Sequence, residues 1–555
     1  MEQLCPELVT KEDEAIAKEL EGIEPLFNFE RGCHLKIYSK KPLSISDMVL
    51  LLKNFAIECK ENYSYTVTKY DTYVYAFNIE CEKDLLQKHQ DNVKNLIKAA
   101  LEGKELLNCS LYALATKANF SQDQIRFLRA MAKYLNQIIV ERNEHSIINS
   151  FIDHAEATKA LVDLFFYKKL DRAPLEQIKS HQESKLFEIF LAALRNLKKT
   201  NFFTPSIAKS FKFETQNFKH LLVGLQPNIE IFVYHPDFIG VHLRSSKVAR
   251  GGIRYSNRED LRQEIKSLMI TQEAKNSIII PSGGKGGFYP LRPIKKEEFE
   301  TIYSLYIEAL LDLIDLSPKS GDDFYFVVAA DRGTASMSDV ANQIAIKRNY
   351  WLGDAFASGG SHGYSHKRLG VTAKGAWRAA NRHFHERNID IFKDPITVVG
   401  TGSMRGDVFG NGMLINPNIR LLGAISSHEI FIDPDPDPHI AYEERKRLFE
   451  NALGWSAYDP KKISEGGGVF QRDAAKITLS KQIKELLGIA EDFISGEELA
   501  QALLCANADL LYIGGIGTYI KSSEELNIHI PDKINEGVRV DAANLRCYAI
   551  CEGGN

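Results

Sequence analysis

Pro281-Ser-Gly-Gly-Lys-Gly-Gly287 sets one lysine among four glycines, directly after the apolar run Ser277-Ile-Ile-Ile280. A β-branched run that ends in proline and glycine reads as a buried strand opening into a turn, and glycine lets backbone and ligand approach closely. On this reading Lys285 sits at a strand end, partly desolvated. Desolvation and neighbouring cations both disfavour the ammonium form, so such a lysine can act as a base near neutrality. Taken alone, the same stretch reads equally well as a flexible surface turn with a solvated lysine.

Downstream, Phe299, Ile302, Tyr303, Tyr306, Leu310 and Leu313 mark one face of a long helix. Phe324-Tyr-Phe-Val-Val-Ala-Ala-Asp331 follows as an apolar strand ending on a carboxylate. Strand, helix and strand in this order suggest a βαβ unit whose strand ends gather at one edge, the usual edge for a site in α/β folds. Lys285 and Asp331 are then expected to be spatial neighbours. Upstream, Ile229-Glu-Ile-Phe-Val-Tyr234 and Gly240-Val-His-Leu-Arg244 read as strands.

Toward the N-terminus, Leu35–Tyr38, Tyr63–Val67 and Tyr73–Ile79 read as strands, the last with Tyr73, Tyr75, Phe77 and Ile79 on one face. Ser44 to Phe55 reads as a capped amphipathic helix with Met48, Leu51, Leu52 and Phe55 on one side. The set resembles a regulatory ACT-type α+β module. From Asp91 to about Lys199 the spacing is nearly all helical, a connector. Toward the C-terminus, Thr372 to Glu386 reads as a helix with Thr372 as N-cap. The strand Asp394-Pro-Ile-Thr-Val-Val399 then leads into Gly400-Thr-Gly-Ser-Met-Arg-Gly406 and another helix. This nearly matches the dinucleotide fingerprint, with one extra residue before the last glycine. A tight βα turn without a ligand is the competing reading.

With 555 residues the chain is long enough for about three or four domains. Apolar content of 44% and charged content of 26% are those of an ordinary soluble globular protein. A net charge of −4 and a pI near 6.5 point away from nucleic-acid and membrane-surface partners. Eight cysteines without a C-x-x-C pair argue against a zinc site or other metal centre and against a disulfide framework. No apolar run reaches membrane-spanning length, and the first residues form neither a signal nor a transit peptide. A reduced cytoplasm is the expected compartment.

Together these pieces resemble the glutamate dehydrogenases, specifically the large NAD-dependent bacterial class, from about residue 34 to the last. The strings that carry the resemblance are Lys247-Val-Ala-Arg-Gly-Gly-Ile-Arg-Tyr-Ser256, Gln272-Glu-Ala-Lys-Asn276, Gly283-Gly-Lys-Gly-Gly287, Ala329-Ala-Asp-Arg-Gly-Thr334, Trp351-Leu-Gly-Asp-Ala-Phe-Ala-Ser-Gly-Gly360 and Asp407-Val-Phe-Gly-Asn-Gly-Met413. The resemblance implies Lys285 as catalytic base, Asp331 as acid/base partner, and Lys275 with Gln272 beside it on the substrate α-carboxylate. It also implies that Gly283 and Gly284 line the substrate site. Arg250 is implied as the cation for the side-chain carboxylate, which a glutamate enzyme must pair and a leucine or valine enzyme need not. A surface arginine is the bland reading of Arg250; a helix cap or a partner for Arg332 is that of Asp331.

For the cofactor the resemblance implies Thr372 near the nicotinamide amide and Gly400, Gly402, Ser403 and Met404 at the pyrophosphate turn. Ser426 stands where similar sequences carry the aspartate that grips the adenosine ribose. Its lack of charge removes an acceptor for the 2′-hydroxyl and also a repulsion against a 2′-phosphate, so the expectation is NAD, with NADP as the alternative.

The expected fold is α/β multidomain: an ACT-like regulatory module over residues 1–115, a helical connector over 116–205, an α/β substrate-binding catalytic domain of the amino-acid dehydrogenase type over 206–371, and a Rossmann domain over 372–555. Val538-Arg-Val-Asp-Ala-Ala-Asn544 and Glu552-Gly-Gly-Asn555 resemble late elements of that last domain, which is therefore expected to be incomplete. The expected activity is oxidative deamination of L-glutamate to 2-oxoglutarate and ammonia by a homo-oligomer. Alternatives are a dehydrogenase for another amino acid and a catalytically silent regulatory paralogue.

Overall fold

A computed structural model of the chain describes residues 9–30, 32–246, 248–275, 283–330, 334, 337–530 and 532–553, and for residues 271–275, 330 and 366 the backbone alone. It divides into two units, Met1–Phe356 and Ala357–Asn555.

The first unit opens with helix α1 (Lys11–Glu19) and an antiparallel sheet of β1 (Ile23–Asn28), β2 (His34–Ser39), β3 (Glu58–Val67) and β4 (Thr72–Glu80), in the order β1-β2-β4-β3. Helix α2 (Ile45–Asn54) connects β2 to β3, and α3 (Lys83–Leu101) follows β4. Ser44 caps α2 by accepting from the Asp47 amide. Met48, Leu51 and Leu52 of that helix are buried in one cluster with Tyr75, Phe77 and Ile79, as their spacing predicts. The other sheet face is covered by α1, through Ala17 against Tyr38, Tyr65, Val67 and Val74. Asp13 anchors this helix: its buried carboxylate accepts from Lys36 Nζ at 2.7 Å, Tyr38 OH at 2.7 Å and Tyr65 OH at 2.9 Å. Burial by itself would raise the Asp13 carboxyl; the bonds from Lys36, Thr10 and Tyr38 outweigh it and hold the pKa at about 2.

Helices α4 (Gln122–Ile138), α5 (Glu144–Asp153), α6 (Ala155–Tyr167) and α7 (His181–Arg195) come next. A Ser121/Gln124 capping box starts α4. One continuous apolar core runs from the N-terminal sheet through these helices into the second sheet.

The second sheet is built from β5 (Leu197–Thr200), β6 (Lys209–Phe213), β7 (Ile229–His235), β8 (Phe238–Arg244), β9 (Ala249–Tyr255), β10 (Gly284–Pro290) and β11 (Phe326–Ala330), running β11-β9-β10-β8-β7-β6-β5. Strand β9 is parallel to both of its neighbours, and β10 is antiparallel to β8. Helix α8 (Leu261–Lys275) packs Leu261, Ile265 and Met269 into the core. Helix α9 (Glu298–Leu311) buries Ile302, Tyr303, Tyr306 and Leu310.

The second unit holds α10 (Val371–Phe384), β12 (Ile396–Thr401), α11 (Asp407–Gly412), β13 (Ile419–Ile425), β14 (Glu429–Ile432), α12 (Pro438–Glu450), β15 (Gly468–Gln471), α13 (Gly496–Leu504), β16 (Leu510–Ile513) and β17 (Ala549–Glu552). Its sheet runs β15-β14-β13-β12-β16-β17. The four strands from β13 to β17 in that order are parallel, and β14 and β15 continue antiparallel. Val398 and Leu421 pack with Trp377 and Phe409 on one face, Val399 and Leu422 with Leu499 and Leu503 on the other. A parallel sheet needs both faces covered.

Candidate functional site

Lys285 lies inside β10, as its second residue, and not in a turn beyond a strand. The expected strand Ser277–Ile280 falls outside the described residues. None of Gly283, Gly284, Gly286 and Gly287 has a positive φ, and at all but Gly283 the glycine serves space. A Cβ on Gly286 would stand 2.6 Å from Ile253 Cδ1 and 2.7 Å from the Tyr306 hydroxyl, and one on Gly251 would overlap the Gly284 carbonyl oxygen. The string lets β10 pass tightly between β8 and β9 beneath Tyr306, whose hydroxyl donates to Val241 O at 2.8 Å.

Alternation along a strand then orients the lysine. A side chain at Gly286 would meet Tyr306 of α9, whereas one at Gly287 would meet Ile265 of α8. Lys285 shares the parity of Gly287, so it points to the α8 face. The parallel register of β10 on β9, with Gly286 opposite Ile253 and Arg250 bridging Gly283, sets Lys285 beside Gly252. Arg250, two residues before Gly252, shares that face and is exposed. Arg250, Gly283, Gly284 and Lys285 are thus brought together. Gln272 and Lys275 fall in the last turn of α8, their side chains outside the described residues. Asp331 also lies outside them. The strand before it, β11, is separated from β10 by β9, with Ala329 opposite Gly252.

Two reciprocal ion pairs, the first fully buried and the second partly, fix α8 on the sheet. Arg262 of α8 forks onto Glu230 of β7 at 2.7 and 2.8 Å. In the opposite sense, Arg254 of β9 donates to Glu264 of α8 at 2.9 Å. Breaking one partner of such a pair costs about 3–5 kcal/mol because a buried charge is left uncompensated. Lys266, one turn beyond Arg262, is also buried; desolvation, then the Arg262 cation, lower its pKa to about 8. Behind β10, on the α9 face, Arg244 donates to His242 Nδ1 at 3.1 Å and to Asp323 at 2.9 Å, and Asp323 also pairs with Lys212. Burial, then the Arg244 and Lys212 cations, keep His242 neutral. Glu230 had a sequence signal: a carboxylate within the apolar run Ile229–Tyr234 demands a cation. The cation itself, 32 residues away, had none.

In the second unit β12 extends through Thr401, so Gly400 is a strand residue paired with Ala424 and Tyr512, not part of the turn. A Cβ there would stand 2.5 Å from Tyr512 O. Gly402 is the turn glycine, with φ +142°. Gly406 N donates to Ser403 O, and Arg405 N to Ser403 Oγ. The Met404 side chain is fully buried in the core. Thr372 is not an N-cap: Gly370, left-handed at φ +59°, precedes α10, and Thr372 is the second residue of the helix and exposed. Gly370 holds that place because a Cβ there would press on Asn411 at 2.9 Å. Ser426 follows β13, and its hydroxyl is used by the turn to β14, donating to Glu429 O and accepting from Glu429 N.

These two sheets, each with helices on its faces, define a mixed α/β multidomain protein. The chain belongs to the bacterial NAD-glutamate dehydrogenase family, whose catalytic domain matches residues 171–555. Residues 108–171 match the glutamate dehydrogenase helical motif 3. Among curated relatives, the NAD-specific glutamate dehydrogenase of Pseudomonas aeruginosa is 38% identical over 96% of this chain and 36% of its own length. That of Halomonas elongata is 37% identical over 94% and 35%, and that of Mycobacterium tuberculosis 39% over 80% and 31%. The chain therefore spans about a third of the length of these relatives.

Proposed function

We propose that this chain catalyses oxidative deamination of L-glutamate: glutamate, water and NAD+ give 2-oxoglutarate, ammonium, NADH and a proton. The observation that carries the reading is Lys285 on the α8 face of β10, sharing that face with Arg250. In this reading Lys275 and Gln272 hold the α-carboxylate and Arg250 the side-chain carboxylate, as a planar fork suited to bidentate binding. Gly283, where a Cβ would meet nothing, leaves room for the substrate beside the strand, and Gly284 lines it with backbone. Lys285 takes a proton from the water that adds to the iminium carbon, and Asp331 moves the amine proton.

NAD, when bound, supplies the hydride acceptor. The second unit fits it through the carboxyl ends of parallel strands β12 and β16, where Gly402 and Gly515 approach so closely that a Cβ on Gly515 would stand 3.3 Å from Gly402. Gly402 and Ser403 form the pyrophosphate turn, with Gly400 just before it as the penultimate residue of β12; Met404 can contribute only backbone to that turn, and Thr372 contacts the nicotinamide. Ser426, already bonded within its turn, meets the ribose without a charge. The same reading makes residues 1–115 an ACT-like regulatory module, supported by the split βαβ order of its sheet, 116–205 a helical connector, 206–371 the substrate-binding domain and 372–555 a Rossmann domain.

The test is NADH formation by the purified chain with L-glutamate and NAD, beside L-leucine and NADP. Turnover selective for glutamate and NAD is expected. Equal rates with leucine would point to another amino acid, a strong NADP preference would overturn the cofactor, and no turnover would leave a silent paralogue.

A further inference from the structure

Among the described residues, no side chain of the loop before helix α8, which carries Gln272 and Lys275, accepts from its first amides. The Asp260 carboxylate just before it is held by Arg258 at 2.9 and 2.8 Å. Instead, the Arg262 amide donates to Oε1 of Gln137 on α4, 2.9 Å away and 125 residues earlier. Gln137 Nε2 in turn donates to Glu259 O at 2.9 Å. One side-chain amide thus holds both sides of the junction where loop becomes helix, satisfying a donor that a helix N-terminus leaves orphaned. Three residues earlier on α4, Tyr134 stacks on Phe213 of β6 at 4.4 Å and lies 5.3 Å from Phe232 of β7. Tyrosine and glutamine therefore seat α4 on the sheet and on α8 at one place. Gln137 lies in the segment that matches the helical motif, outside the catalytic-domain match.

We infer that Gln137 is a positioning residue for substrate binding: the helical segment sets where α8 begins, and so where Lys275 ends. The inference rests on the α-carboxylate role given above to Gln272 and Lys275. A helix is stiff, rising about 1.5 Å per residue, so the start of α8 lies about 20 Å from Lys275 along one rod. The Arg262–Glu230 and Arg254–Glu264 pairs hold that rod against the sheet, and Gln137 fixes its first turn. Binding a carboxylate depends steeply on donor placement, so a frayed first turn is felt at the far end as weaker binding, not as slower chemistry.

The test uses the full chain with Gln137→Met, which keeps volume and removes both bonds, and Gln137→Glu, which keeps the acceptor for the Arg262 amide. Gln137→Met is expected to raise KM for glutamate about three- to tenfold with kcat within about twofold. Gln137→Glu is expected to bring KM back to within about twofold of wild type. Hydrogen exchange at the amides of the first turn of α8 should quicken in Gln137→Met. A lower melting temperature with KM unchanged would make Gln137 merely structural and overturn the inference. Should the wild-type chain not turn glutamate over, the functional reading above fails on its own, and exchange still decides the clamp: first-turn amides as slow in Gln137→Met as in wild type would overturn it.

Discussion

The strings Gly283-Gly-Lys-Gly-Gly287 and Gly400-Thr-Gly402 look alike on paper and do different work. In the first, Gly286 and Gly287 are needed because Ile253, the Tyr306 hydroxyl and Ile265 leave no space for a side chain, while no φ is positive. In the second, Gly402 has left the strand and takes a φ of +142° that side chains rarely adopt. Their surroundings differ as well. The lysine strand is flanked by the buried charges Glu230, Arg262, Lys266, Arg244 and Asp323, strand β12 by Trp377, Phe409, Leu421 and Tyr512. A glycine cluster in a sequence therefore marks close backbone approach, and only the register tells whether the chain is turning.

Substitutions separate the two cases. Gly402→Ala meets both a strained φ and Phe409 Cβ at 2.5 Å, so a loss on the order of 3 kcal/mol or more in urea unfolding is expected. Trimming Phe409 should not restore it, since the φ remains. Gly286→Ala should cost about 1–3 kcal/mol. Here Ile253→Val combined with Tyr306→Phe should recover part of the loss, because two of the three obstructing atoms are the ends of those side chains, while His242 Cδ2 stays at 2.8 Å; no recovery would mean that the backbone itself requires glycine.

An effect of similar size and opposite sign is expected at Lys266, where the charged surroundings of the first string can be probed by pH. Its pKa is depressed to about 8 from 10.5, so the unfolded chain binds more protons than the folded one between these values, and stability rises with pH across that window. Below about 8 the lysine is a full penalty on the fold. Lys266→Met should flatten the rise and stabilise the protein at neutral pH by about 1–3 kcal/mol. An unchanged slope from pH 8 to 10.5 would show that Lys266 does not titrate there.

What the sequence disclosed follows from range. Elements whose signal is local were legible: the Ser44-capped helix, the alternating face of β4, the apolar stripe of α9 and the strand before Gly402. Features set by distant partners were not. Helix α1 covers the N-terminal sheet through a carboxylate whose three side-chain partners lie 23 to 52 residues away. The placing of Lys285 within β10 depends on β8, β9 and Tyr306. Gln137 bears no local mark of its bond to α8. At Thr372 a good capping residue lost its place to a glycine that accommodates Asn411.

On the proposed reaction Lys285 does chemistry and does not merely occupy a tight strand. Lys285→Met in the full chain, assayed for NADH formation at saturating L-glutamate, measures it most directly. A fall in kcat of about a hundredfold to ten-thousandfold, with melting temperature unchanged, is the predicted result. A folded variant that still turns glutamate over at the wild-type rate would leave Lys285 a structural residue and not the base.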